Sequence, residues 1–429
     1  MLLTPRQSFA SQNFDTPLGK GVTPPSQEND LIGGVITQAN IKEKLEESCR
    51  GMNIRKALLI PPDITRAHSG AGPITKMYYD ILTQKGATVN ILPALGTHAP
   101  MTRDEQTSLF GNIPEELFLE HRWRDGVTTL GGIPSDFVHE MSEGFLDKMI
   151  PVQVSDYLMD TSYDLIISIG QVVPHEVVGM ANYTKNIVVG CGGAEFISAS
   201  HMVGAFYGIE RTLGEVNTPV RRLFDYAEEN FLKSLPIMYV MTVMDSDAVA
   251  GLFIGRDRKL FEDAAALSCK RNITYVERPI KYCVTYLDEA NFHSFWIGNK
   301  AIYRTRMAMA DGGDLIVLAP GLRAFGEDTE NDRIIQKYGY IGRERILELL
   351  KTEADLQNNL SAAAHLIHGS SDRRFNIIYA APHMGKSAVE KVGYSYMEWG
   401  DAVKKQSEHG VYFIQNPAAG LWKADVTGA

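Results

Sequence analysis

The chain has 429 residues, of which 44% are hydrophobic and 22% are charged, and its formal net charge is −10. This length predicts two domains, and the composition is typical of a globular protein. The acidic balance excludes a general nucleic-acid-binding role, which needs a basic face, and it means that local cations must hold any anionic ligand.

The chain opens with a polar stretch. Residues 1–35 predict a meandering arm or a short edge hairpin, and they carry no secretory signal pattern. The four cysteines are far apart, which predicts neither a disulfide framework nor a zinc finger. No apolar run approaches the roughly 18 residues of a membrane helix, so we expect a cytoplasmic protein without membrane or nucleic-acid partners.

Strand and helix signals alternate from about residue 55. Buried strands are predicted over ALLIPPD, VNILPAL and SYDLIISIG. Helices are predicted over PITKMYYDILTQKG, TRDEQTSLFG and FEDAAALSCKRN, the second of them capped by Thr102 with Glu105 three residues later. This alternation is typical of a mainly parallel sheet with helices on its faces.

A second alternating set begins near residue 281. Its predicted strands are KYCVTYLD, DLIVLAP, NIIYAAPH and VYFIQN, and its predicted helices are SFWIGNKAIYRTRMAMADGG and DRIIQKYGYIGRERILELLKTEADL, the latter broken at Gly339–Gly342. The predicted class is therefore α/β, with two domains that each hold a mainly parallel sheet and flanking helices. We place a linker at 271–280, which divides the chain into an N-terminal domain over 1–275 and a C-terminal domain over 276–429.

Polar side chains follow three of the predicted strands. They are Asp63, Thr65 and Arg66 after the first strand, His98 after the second, and His175, Lys185 and His201 after the third. In open α/β sheets, ligands bind beyond the carboxyl ends of the strands. We therefore expect one shared site, in a cleft between the two domains.

These residue types suit several chemistries. Imidazoles such as His98 and His175 serve as general acids or bases near neutral pH. An amine such as Lys185 bonds covalently to a cofactor or pairs with an anion, and His201 suits nickel, copper, zinc or iron. The sequence has no GxGxxG after the early strands, no GxxxxGK[ST], no HExxH and no GxSxG, which argues against nicotinamide, nucleoside-triphosphate, zinc-protease and α/β-hydrolase functions.

The ordered motifs PPDITR, LGTH, PHEVVGMANYTKN and SASH resemble those of the lactate racemase family, over roughly residues 55–320. The family uses a nickel-pincer nucleotide, in which nickel is held by a pyridinium-3-thioamide-5-thiocarboxylate mononucleotide. The resemblance implies that Lys185 holds this cofactor covalently and that His201 completes the nickel coordination. It further implies that Asp63, Thr65 and Arg66 form a loop that holds the cofactor, with Arg66 also near the substrate. Lys300 would anchor the substrate carboxylate.

The resemblance implies an isomerase that works by reversible hydride transfer. Loss of a hydride from a 2-hydroxy acid gives a planar 2-keto acid, and return of the hydride to the other face inverts the carbon. In such a reaction His98 and His175 would each serve one enantiomer as acid–base catalyst. The partners would be a small-molecule 2-hydroxy acid and the pincer-synthesis proteins that supply the cofactor.

The sequence departs from the family pattern in ways that bear on the substrate. Asn182 and Tyr183 stand where the family has a glycine-rich turn before the lysine, and Ile297 stands where a glutamine is expected before Lys300. Extra polar side chains are His68, Asn182, Tyr183, Trp296, Arg323 and Arg343. They favour a longer, polyhydroxylated acid, so we predict a 2-epimerase of an aldonate such as D-gluconate or D-mannonate.

Other hypotheses remain open at this point. The nearest is a racemase of lactate or malate, with Arg343 or Arg323 as a second anchor for malate. A non-catalytic homologue that binds a ligand or the cofactor belongs to another class. A zinc-dependent lyase or hydrolase would need Glu176, Cys191 or Glu195 as a further ligand, and a second metal site would need His365, His368 and His383. The sequence leaves the oligomeric state open.

Overall fold

The computed structural model describes residues 29–32 and 36–425. Most of the predicted N-terminal arm, residues 1–28 and 33–35, lies outside the described residues. No helix among the described residues is long and apolar enough to cross a membrane.

The first part of the chain builds a six-stranded sheet. Its strands and those of two small antiparallel pairs are β1 Asn29–Ile32, β2 Lys56–Ile60, β3 Thr88–Ile91, β4 Val127–Ile133, β5 Ile150–Ser155, β6 Leu165–Gln171, β7 Pro174–His175, β8 Gly179–Met180, β9 Ile237–Asp245 and β10 Ala248–Gly255. The strand order is β1-β10-β9-β6-β2-β3, in which β9, β6, β2 and β3 run parallel and β10 and β1 pair antiparallel at one edge.

Nine α-helices accompany these strands among the described residues. They are α1 Gln38–Ser48, α2 Ala71–Gln84, α3 Arg103–Phe110, α4 Ser135–Met141, α5 Thr184–Val188, α6 Ala194–Tyr207, α7 Ile209–Thr212, α8 Pro219–Ala227 and α9 Arg258–Asn272. Apolar residues cover both faces of the sheet, in two separate clusters. The predicted cap of α3 is confirmed, since Thr102 and Glu105 form both bonds of a capping box.

The second part of the chain builds a five-stranded sheet in which every pair is parallel. Its strands are β12 Ile280–Tyr286, β13 Met309–Leu318, β14 Asn376–Ala380, β15 Ser395–Tyr396 and β16 Tyr412–Ile414, in the order β15-β14-β13-β12-β16. Its helices are α10 Phe295–Gly298, α11 Lys300–Thr305, α12 Thr329–Tyr338, α13 Arg343–Leu349, α14 Ala354–Asn358, α15 Leu360–His368, α16 Gly385–Lys391 and α17 Trp399–Lys405. The predicted α/β class with mainly parallel sheets is confirmed.

Two sequence predictions need correction in this part. The helix predicted over 294–313 ends at Thr305, because residues from Met309 onward form the start of β13, beside β12. The predicted linker contains strand β11, Ile273–Val276, which pairs in parallel with β17, Leu421–Ala424. The end of the chain thus returns to residues 271–280, and the domain boundary itself stays a prediction. The predicted break between α12 and α13 is confirmed at Gly339–Gly342.

One apolar cluster joins the two parts of the chain. Helix α6 contributes Met202 and Phe206 to the same cluster as Leu315 of β13 and Leu366 of α15. Helix α6 carries His201, so this packing sets the predicted metal ligand against the second part of the chain.

Candidate active site

Hydrogen bonds bring the predicted strand-end loops together. The N–H of Gly96, in the LGTH motif, donates to the carbonyl of Gly190 at 2.8 Å. The Asn186 carboxamide donates to Ile60 O at the end of β2, at 3.1 Å, and to Ser168 Oγ in β6, at 3.0 Å. The loop after β3 and helix α5 therefore lie at the carboxyl edge of β2 and β6, where a shared site is expected.

Asp63 and His98 form a hydrogen-bonded pair in this site. One Asp63 oxygen accepts from the N–H and the hydroxyl of Thr65, at 3.1 and 2.5 Å, and caps a 3-10 helix over Ile64–Ser69. The other oxygen lies 2.5 Å from His98 Nδ1. Burial alone would raise the pKa of Asp63, but His98, Thr65 and Arg66 together lower it, so the carboxyl is ionised at neutral pH.

The Asp63 carboxylate sets the tautomer of His98. An ionised carboxylate only accepts hydrogen bonds, so Nδ1 of His98 carries a proton and Nε2 keeps its lone pair in the neutral ring. The His98 side chain is 57% exposed whereas that of Asp63 is 5% exposed. His98 is thus an accessible imidazole that can accept a proton at Nε2 while Asp63 stabilises the charge that forms.

His175 is in a different state. It is buried in β7, and the N–H of Val177 donates to its Nδ1 at 3.1 Å, so the neutral ring carries its proton on Nε2. Burial lowers its pKa strongly; Glu176 opposes this, and Lys185 adds to it. In this conformation His175 donates a hydrogen bond from Nε2, and it can accept a proton only after the bond to Val177 breaks.

Lys185 is the second residue of helix α5. Burial, followed by the charge of Arg66, lowers the pKa of its amine to about 7, although Glu176 opposes the shift. An amine with this pKa is about half unprotonated at neutral pH, and the unprotonated form is the nucleophile. Lys185 therefore has the state that a covalent attachment requires.

His201 has the state of a metal ligand. Its Nδ1 lies 2.6 Å from the carbonyl of Ile197, one turn earlier in α6, so Nδ1 donates and Nε2 keeps a free lone pair. Burial lowers its pKa to about 4 despite that bond, which keeps the ring neutral. The described residues form no group of three or more His, Cys, Asp or Glu side chains that could hold a metal by themselves. A metal beside His201 would need ligands from a bound group, which weakens the zinc hypothesis.

Cations gather between the two parts of the chain. Lys300 opens helix α11, and burial followed by Arg66 lowers its pKa to about 8. One turn later, Arg304 donates to the carbonyl of Pro174 at 2.6 Å and lies 3.7 Å from the Glu176 carboxylate. Helix α11 thus lies against the strand that carries His175. Lys300 is acted on there by the cations Arg66 and Arg304 and by the carboxylates Glu176 and Asp63. The excess of positive charge favours an anionic ligand despite the net charge of the chain.

His68 lies beside these cations, at the exposed rim, and its ring is neutral. Desolvation of its ring, followed by the charges of Arg66 and Lys300, lowers its pKa. Trp296, one turn before Lys300, stacks on His365 with a centroid distance of 4.3 Å. The substrate-binding roles of His68 and Trp296 stay predictions.

Three residues predicted to bind substrate are committed elsewhere. The Tyr183 ring packs against Phe261 and Tyr239 in the core, and its hydroxyl donates to Arg256 O at 2.7 Å. The Arg343 guanidinium donates to Phe206 O at the end of α6, and Arg323 lies half exposed beside Glu289 and His383. The structure thus places all three side chains in contacts with the protein itself, and their substrate-binding roles stay predictions.

The predicted second metal site does not assemble. His365 is bonded on both ring nitrogens, by the hydroxyls of Tyr303 and Tyr340, each at 2.9 Å. His383 lies next to Arg323 instead. These contacts leave no group of histidines to hold a second metal among the described residues.

Sequence reasoning missed three residues that shape the site. Glu176 was considered only as a zinc ligand, and Arg304 and Arg221 were not considered at all. The spacing of four between Lys300 and Arg304 is the one signal that could have identified Arg304, because it places both residues on one helix face. A fully buried arginine such as Arg221 has no signature in sequence.

The chain is similar to known proteins in part of its sequence and in its fold. Residues 10–212 match the family model described as the lactate racemase N-terminal domain. A crystal structure of a protein from Thermotoga maritima superposes with a TM-score of 0.83 at 24% identity, over 92% of this chain and 100% of that chain. The lactate racemase apoprotein from Thermoanaerobacterium thermosaccharolyticum superposes with a TM-score of 0.70 at 18% identity, over 91% of this chain and 95% of that chain. At these identities the two structures show the shared fold. No curated protein sequence matches the chain.

Proposed function

We propose that this chain, of which residues 10–212 match the lactate racemase N-terminal domain model, is an isomerase that inverts C2 of a 2-hydroxy acid by reversible hydride transfer. The observation that carries the proposal is the state of Lys185 and His201. An amine with a pKa of about 7 and an imidazole with a free Nε2 are the two groups that a covalently held metal cofactor would use.

The residues present fit a nickel-pincer nucleotide. Lys185 would hold it covalently, His201 would provide the protein's metal ligand, and Asp63, Thr65 and Arg66 would lie along its ribose and phosphate. Since no metal-binding group exists among the described side chains alone, the cofactor would bring the remaining ligands itself. When bound, the group would supply an acceptor for the hydrogen and electron pair of C2. The pincer-synthesis proteins would be its source.

The chain's own residues would bind and orient the acid. Lys300 and Arg66 would hold the substrate carboxylate through charge-assisted hydrogen bonds. His98 would take the hydroxyl proton at Nε2, and Asp63 would stabilise the imidazolium that results. His175 would donate its Nε2–H to the substrate oxygen, and Arg304 and Glu176 would hold the loop that carries it.

We propose an aldonate such as D-gluconate or D-mannonate as the substrate. Tyr183, Arg323 and Arg343 no longer support this proposal. Support comes instead from His368 Nε2, a buried polar atom without a protein partner among the described residues, on a ring near enough to Glu176 and His201 to interact with them electrostatically. Buried polar groups normally have partners, and the hydroxyls of a sugar acid would provide them, whereas lactate has no hydroxyl beyond C2.

A substrate screen in deuterium oxide tests this proposal. The protein, produced together with pincer-synthesis proteins, is incubated with D-gluconate, D-mannonate, lactate and malate, and the C2 configuration and deuterium content are measured. We expect inversion of the aldonates without deuterium at C2, because the same hydrogen leaves and returns. Deuterium at C2 would contradict hydride transfer, and equal or better turnover of lactate would reject the sugar-acid substrate.

A further inference from the structure

The turn that precedes Lys185 is strained. Asn182 and Tyr183 have φ angles of 71° and 58°, in the left-handed region that side-chain-bearing residues rarely adopt. Two such residues in succession persist only where the surroundings hold them. The direction of the Lys185 side chain therefore depends on what holds this turn.

Arg221 of helix α8 brackets the turn from behind. Its guanidinium donates to Met180 O at 2.7 Å and to Asn182 O at 3.2 Å, and on the far side of the turn it donates to Thr184 Oγ1 at 2.8 Å. The ring of Phe261 lies 4.4 Å from this guanidinium. Phe261 also stacks on Tyr183, so one aromatic ring packs against both the Arg221 guanidinium and the turn.

The charge of Arg221 is costly where it stands. The side chain is fully buried, its hydrogen bonds go to neutral oxygens, and its Nε has no partner among the described residues. Asp225 is near enough to interact with it electrostatically, and burial raises the pKa of Asp225. A buried guanidinium that donates to neutral oxygens adds little net stability, which argues for a role beyond packing.

We propose that Arg221 is a positioning residue for Lys185, which holds the strained turn and directs the amine into the site. The charged groups that act on this amine are Arg66, Glu176, Arg221 and Asp63. Arg221 adds a positive charge behind it and so favours the unprotonated, nucleophilic form. The inference rests on the covalent role proposed for Lys185, and it adds the residue that prepares this lysine for the bond.

The test measures the amine in the cofactor-free full chain. Lys185 is acylated with an amine-reactive ester over a range of pH, and its modification is followed by peptide mass analysis. We expect the Lys185 midpoint near pH 7 in the wild type and at least about half a unit higher in Arg221→Met, which is about twofold less free amine at neutral pH. Amide hydrogen exchange over residues 180–185 should also accelerate, since the hydrogen bonds that Arg221 donates to the turn are lost.

Two further variants make the result specific. Arg222→Met is the matched control, because Arg222 is the neighbour on α8, is half exposed and pairs with Glu140. The Lys185 midpoint in this variant should equal that of the wild type. Arg221→Lys keeps the charge without the planar fork, so we expect faster amide exchange but a smaller change of the Lys185 midpoint. This variant provides the test if Arg221→Met does not fold. An unchanged midpoint and unchanged exchange in a folded Arg221 variant would overturn the proposal. A wild type that carries no cofactor adduct on Lys185, when it is produced together with pincer-synthesis proteins, would instead reject the proposed function.

Discussion

Replacing Asp63 by asparagine is expected to lower kcat by about 10³-fold, because it would put the proton of His98 on the wrong nitrogen. The carboxylate accepts from Nδ1 at 2.5 Å and leaves Nε2 free to take the substrate proton. An asparagine amide would donate to Nδ1 instead, so the neutral ring would carry its proton on Nε2 and could not act as a base.

Two controls separate this effect from loss of cofactor. Because Asp63 is also predicted to lie along the ribose, the mass of Asp63→Asn must be measured. It should still include the Lys185 adduct, which shows that the cofactor is loaded. Asp104→Asn, at an exposed carboxylate in α3, should keep the wild-type kcat. A loaded Asp63→Asn enzyme with more than about a tenth of the wild-type kcat would contradict the role of the Asp63–His98 pair.

Replacing Lys300 by methionine is expected to raise KM by about 10²-fold, because a partly buried carboxylate contact worth about 2–3 kcal/mol is lost. Arg66 remains to hold the acid, so kcat should fall less than kcat/KM does. Lys351→Met, at an exposed lysine, is the matched control. An unchanged KM in Lys300→Met would place the substrate carboxylate elsewhere.

The same lysine gives the wild type a pH dependence. The pKa of Lys300 is lowered to about 8, so its charge is present below pH 8 and is lost as the pH rises through that value. KM for the acid should therefore increase above about pH 8, and this increase should disappear in Lys300→Met. Steady-state kinetics from about pH 6.5 to about pH 9.5 would measure both effects.

The fold class and the convergence of the loops could be predicted from local sequence. Asp63 and His98 follow buried parallel strands, and such strands end at one edge of a sheet, so their meeting needed no further information. The resemblance to the lactate racemase family was also predicted from the order of the motifs, and the model of that family's N-terminal domain matches residues 10–212. The helix over 294–313 was predicted too long, since only the pairing with β12 shows that β13 begins at Met309.

The orientation of individual side chains could not be predicted in the same way. Tyr183 stands two residues before Lys185, yet the left-handed turn points its ring into the core against Phe261. Arg304 and Arg221 carry no sign of burial in the sequence, and tertiary contacts alone bury them. Tyr183, one of the polar side chains predicted for a sugar acid, therefore packs in the core, whereas Asp63 and His98 meet as expected from the strand order.

The most direct test of the central claim is intact-protein mass combined with metal analysis, on protein produced together with pincer-synthesis proteins. We predict an adduct that maps to Lys185 and about one nickel per chain, with the adduct absent from Lys185→Ala. No adduct and no nickel, under conditions that load a known member of the family, would contradict the account.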